Sequence, residues 1–93
     1  MEKIYRAWRN IGNSHTEIAL CKDRFTAVIT AAMHNDITRI ECLNREVIER
    51  DCVDELTWVR FLKRMVSSYE FSIDAYIMYA DDGSTYTFEV IIL

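Results

Sequence analysis

The chain has 93 residues, 51% of them hydrophobic and 28% charged, with a formal net charge of −4 at pH 7. That length makes a single domain spanning 1–93, and that composition is globular rather than disordered. No apolar run approaches the roughly 18 residues of a membrane span, and the acidic balance argues against a general nucleic-acid binder.

In the first segment Ile4, Ala7, Trp8 and Ile11 recur at helical spacing, with Lys3, Arg6 and Arg9 opposite and Gly12 placed as a C-terminal cap. A helix over 2–11 is the expectation. A strand is the rival, because the stretch is rich in aromatic residues. Ser14 followed by Glu17 then reads as a capping box. After it Ile18, Cys21, Phe25, Val28, Ile29, Ala32 and Met33 fall on one helical face that stops at Asn35. Thr16, Ile18 and Leu20 also alternate as in a strand, in which case Asp23 is the N-cap of a helix running to His34.

Residues 37–50 admit two short strands around Asn44, by their β-branched content, or a helix, by the Glu41/Arg45 and Glu46/Arg50 spacings. The two strands are the expectation. Asp51 and Asp54 open a helix over 52–69, with acidic residues at its start and Arg60, Lys63 and Arg64 further on, which suits the helix dipole. Leu56, Val59, Leu62, Val66 and Tyr69 form its expected core stripe. Trp58, Phe61 and Met65 widen the apolar face beyond what one core contact needs, so a second covering surface is expected.

At the C-terminus Asp82-Gly83 suits a two-residue type I′ turn. That register sets Tyr79 opposite Tyr86, Ile77 opposite Phe88, Ala75 opposite Val90 and Ile73 opposite Ile92, all on a core-facing side. The reverse side carries Tyr76, Met78, Ile91 and Leu93 among polar residues and is expected to meet another surface. The uncharged terminal strand is also a candidate for edge pairing. The fold class that follows is α+β, with two or three helices packed on one face of an antiparallel sheet that ends in a C-terminal β-hairpin.

Catalytic chemistry finds few candidates. His15 and His34, the only histidines, lie in a capping region and at a helix end, and neither sits in a nucleophile elbow. Cys21, Cys42 and Cys52 have no zinc-ligand spacing; Cys21 in the apolar stripe and Cys42 alternating inward read as small buried hydrophobes, and the odd count suits a reducing, cytoplasmic setting. Neither glycine lies in a phosphate-cradling loop. No catalytic residue, cofactor or metal is therefore assigned.

The expected function is a non-enzymatic protein-binding module. Its concrete form is an inhibitor that occupies a larger enzyme or defence complex, of the kind phages encode. Glu49, Asp54 and Glu55 are the expected charged contacts, and Trp58, Tyr76 and Met78 the expected contact area. The alternative is a structural or accessory protein that forms a homodimer through its C-terminal strand. A third reading is nucleic-acid binding through Arg60, Lys63 and Arg64.

Overall fold

The computed structural model of the chain describes residues 2–42, 46–67 and 73–93. Six strands form one antiparallel sheet: β1 (Lys3–Ile11), β2 (Ser14–Cys21), β3 (Ile37–Cys42), β4 (Val47–Glu49), β5 (Tyr76–Ala80) and β6 (Thr85–Ile92). Their spatial order is β2-β1-β6-β5-β3-β4. Helix α1 (Arg24–His34) lies between β2 and β3 in sequence, and α2 (Glu55–Ser67) between β4 and β5; single 3-10 turns occupy Arg50–Cys52 and Ile73–Ala75. The class is α+β, with two α-helices among the described residues.

The first segment is a strand, not the expected helix. Its apolar spacing fits a helix, but β1 gains partners on both sides, β2 and β6. Backbone bonding along both edges of nine residues outweighs the small propensity differences that separate helix from strand. Tyr5 and Ala7 then turn toward the core, while Arg6, Trp8 and Asn10 turn away from it. Gly12 is not a helix cap. It takes φ +56° in the two-residue connection to β2.

Ser14 and Glu17 do not form a capping box, since both lie in β2. The cap of α1 is Asp23, whose carboxylate accepts the Thr26 amide at 2.7 Å and the Thr26 hydroxyl at 2.6 Å. Small residues set how closely α1 approaches the sheet: Ala27 and Ala31 of the helix and Ala7 of β1 are all fully buried. β3 and β4 are antiparallel partners, as expected for 37–50. The turn expected at Asn44 lies outside the described residues.

Helix α2 buries the neighbouring stripe rather than the one expected. Trp58, Phe61 and Met65 enter the core, whereas Leu56 and Val59 stay exposed and Leu62 and Val66 are half-buried. Tyr69 lies outside the described residues. The three side chains that go inward are large and recur at i, i+3 and i+7, and Phe61 meets Tyr76 edge-on at 6.4 Å between centroids. Burying the larger stripe removes more apolar area from water.

The β5–β6 register also differs by one residue. Met78 faces Tyr86 and Tyr79 faces Thr85. The turn holds three residues, Asp81 to Gly83, inside a closing pair in which the Ala80 amide donates to the Ser84 carbonyl at 3.0 Å. The Gly83 amide donates to the Ala80 carbonyl at 3.3 Å, and Gly83 takes φ +87°. This is a three-residue loop with glycine in the left-handed position. A one-residue change of register exchanges the two sides of a strand. Tyr76 and Met78 therefore turn into the core instead of facing a second surface, and Ile77 and Tyr79 turn away. Residues 73–75 are a 3-10 turn, so the expected pairs Ala75–Val90 and Ile73–Ile92 do not form; Ile92 pairs instead with Lys3 across the other edge of β6.

β6 is not an edge. It lies between β1 and β5, and the Leu93 amide donates to the Glu2 carbonyl at 3.0 Å. β1 pairs the whole of Thr85–Ile92 and β5 pairs Thr85–Thr87, so over those residues the C-terminal strand offers no free edge for the expected homodimer.

Candidate functional site: an apolar groove between two helices

With Trp58, Phe61 and Met65 turned inward, the other apolar stripe of α2 is left outside. Phe25 of α1 is 57% exposed, Leu56 of α2 57% and Val59 36%. Phe25 and Ile29 from α1 and Val59, Leu62 and Val66 from α2 line an open groove of about 450 Å³, completed by Lys63 and Ser67. The Ser67 hydroxyl donates back to the Lys63 carbonyl at 2.7 Å. The Lys63 ammonium takes part in no ion pair among the described residues.

Both walls are anchored by aspartate caps. Asp23 holds the start of α1 as described, and the Asp54 carboxylate accepts the Thr57 amide at 2.7 Å at the start of α2. Both carboxyls are held below the ordinary carboxylate range, Asp23 chiefly by the Thr26 hydroxyl and Asp54 chiefly by the Thr57 amide.

The residues expected to supply contact area are elsewhere. Trp58, Tyr76 and Met78 are 3%, 1% and 0% exposed and belong to the core. Their burial follows from the stripe of α2 and the register of β5, and it removes them from any surface. The expected charged contacts Glu49, Asp54 and Glu55 are exposed. Each already has a local role. Glu49 accepts from the Cys52 thiol at 3.5 Å, Asp54 caps α2, and Glu55 lies 3.8 Å from Arg50. The Arg60, Lys63, Arg64 patch is divided as well, since Arg64 pairs with Glu46 and stacks over Phe61.

Groups with chemical potential are dispersed. His15 Nδ1 is 2.7 Å from the Asn10 side-chain oxygen, and His34 Nδ1 is 2.7 Å from the Tyr86 hydroxyl. All three thiols are pushed above their ordinary pKa, Cys21 and Cys42 mainly by burial and Cys52 mainly by its bond to Glu49, so each is held in the less nucleophilic form. Among the described residues no group of three or more histidine, cysteine, aspartate or glutamate side chains is gathered as a metal would need. No helix among them is long and apolar enough to cross a membrane. On the side of the sheet away from the core, one shallow cleft joins Trp8, Asn10, His15, Thr87 and Glu89, and a more polar one joins Thr38, Arg39, Glu49, Asp51 and Tyr79.

Sequence periodicity assigned Phe25, Val59 and Leu62 to the core, and so it passed over the groove. On α2 the signal is side-chain size, since the stripe with the larger residues is the buried one; on α1 the reverse holds, with Ala27, Val28 and Ala31 buried and Phe25 left outside. Comparison with protein-family models, with curated proteins and with solved structures found no match.

Proposed function

We propose that the protein is a non-enzymatic binding module whose α1–α2 groove takes an amphipathic helix of a protein partner. The observation that carries this reading is the apolar groove itself, walled by two capped helices. Its lining along α2 runs from Val59 to Ser67, about two helical turns at 1.5 Å per residue. A third helix laid into such a trough presents apolar anchors at i, i+3 or i+4, and i+7. Lys63, in no ion pair among the described residues, commits the partner further, to a helix with an acidic residue beside those anchors. Both helices are read as covering a single face of the sheet, because the sheet residues in the core alternate in one consistent set. An inhibitor that works by occupying a larger enzyme or defence complex is the concrete form of such a module.

The test is a titration with a synthetic helical peptide carrying leucines at i, i+3 and i+7 and a flanking glutamate, followed by NMR. Expected are saturable shifts confined to Phe25, Ile29, Val59, Leu62 and Val66, about tenfold weaker affinity in Lys63→Glu and loss of binding in Phe25→Asp. Equal binding by the wild type and both variants overturns the reading.

A further inference from the structure

The two edges of the sheet are unequal. β4 has three residues and runs at once into a 3-10 turn, which is how an exposed edge is ordinarily kept short. β2 has eight residues and contains no proline, lysine or arginine. Its one carboxylate, Glu17, is held by Arg6 at 2.7 Å through a single oxygen. The protection β2 does have is a bulge. Ala7 pairs with Ala19 but Trp8 with Glu17, so Ile18 is the extra residue. The bulge confines any straight, free edge to Ser14–Glu17, where all four residues are exposed.

We infer that this edge pairs with the same edge of a second copy, giving a weak two-fold dimer with Thr16 on the axis. The backbone and the charges select that register independently. Ile11 and Ser14 close the two-residue turn, so Ser14 and Thr16 exchange hydrogen bonds with β1, while His15 and Glu17 direct their amides and carbonyls outward. A two-fold axis perpendicular to the sheet keeps each side chain on its own face, so residues pair only with residues of the same parity. Centring on Thr16 sets His15 opposite Glu17 of the second copy, twice, with all four outward backbone groups of each copy engaged. Centring on Glu17 opposes two carboxylates, which is unfavourable for a directly facing pair, and centring on His15 takes Glu17 away from the histidine. His15 and Glu17 lie on the same side of the sheet, opposite Asn10 and Trp8. The Glu17 oxygen not used by Arg6 is left for the second copy's histidine.

Two Thr16 side chains meet at the axis as a close, non-hydrogen-bonded pair. Two six-stranded sheets join into one. A seam this short buries less than a standard interface of about 1,600 Å², so the dimer is concentration-dependent rather than obligate. It uses a different surface from the α1–α2 groove and stands or falls separately.

The experiment is sedimentation equilibrium of the full chain across micromolar to millimolar concentrations, paired with cysteine capture. In a Cys52→Ser background, Thr16→Cys is expected to oxidise to a covalent dimer much faster than Asp81→Cys, a turn control far from the edge. Thr16→Lys is expected to weaken association about tenfold while leaving the circular dichroism and melting temperature of this exposed site unchanged. His15→Glu alone is expected to weaken the dimer, and His15→Glu with Glu17→His to restore it, because the reversed pair forms only in the Thr16-centred register. A wild-type chain monomeric at every concentration overturns the inference, as does Thr16→Cys oxidising no faster than the control. A dimer insensitive to Thr16→Lys places the seam elsewhere and overturns it equally.

Discussion

Helix α2 and strand β5 pose the same problem on two periods. α2 carries one apolar stripe through Trp58, Phe61 and Met65 and another through Leu56, Val59, Leu62 and Val66, and the first is buried while the second faces outward or is only half covered. β5 reads Tyr-Ile-Met-Tyr-Ala, apolar at both parities, and buries Tyr76, Met78 and Ala80. In the helix the choice follows side-chain size. In the strand it follows the turn, where glycine at φ +87° allows the three-residue loop that sets the register. Where an element is apolar on two sides, the inward side is chosen by something other than its hydrophobic period.

The sharpest way to break the comparison is to truncate both stripes of α2. Phe61→Ala is expected to lower stability by about 3–5 kcal/mol, read from urea unfolding, because it opens a cavity beneath Tyr76. Leu56→Ala, on the outward stripe, is expected to stay within about 0.5 kcal/mol of wild type. Similar losses from the two would mean that both stripes are covered.

On the strand, Gly83→Ala is expected to cost about 1 kcal/mol, since a Cβ meets no neighbouring atom there and the penalty is that of the left-handed backbone alone. A neutral result would show that the turn adopts another register at little cost.

Phe25→Asp is expected to change the melting temperature least of these substitutions. Phe25 is largely exposed and lies in the first turn of α1, where a carboxylate suits the helix dipole, so peptide binding is lost without loss of fold.

The smallest effect concerns acid. Asp82 is held well below the ordinary carboxylate range by the Ser84 hydroxyl and amide, then by Arg9 at 2.9 Å and by Asn35. A carboxyl lowered in the folded state contributes stability that is complete above its unfolded pKa, about 3.9, and is lost as pH falls below that toward the folded value. The melting temperature of wild type is therefore expected to drop faster than that of Asp82→Asn between about pH 4 and pH 2. Parallel curves would show that this turn has no part in acid stability.

What lay open in the sequence was local chemistry. The α+β class, α1 from its Asp23 cap to His34, α2 after Asp54, and the β3–β4 pairing all follow from caps, β-branching and spacing within a few residues. Glu49, Asp54 and Glu55 are exposed, as charged residues ordinarily are. What the tertiary structure decided was which side of each element turns inward and which strands are edges. β1 became a strand because β2 and β6, the latter from the far end of the chain with Ile92 opposite Lys3, supply its partners. The C-terminal strand became central for the same reason, and Trp58, Tyr76 and Met78 left the surface when the helix stripe and the strand register were set. Caps and turns act over three or four residues and can be read from them. Strand pairing and the choice of a buried side depend on contacts between distant segments, and no short stretch of sequence carries that information.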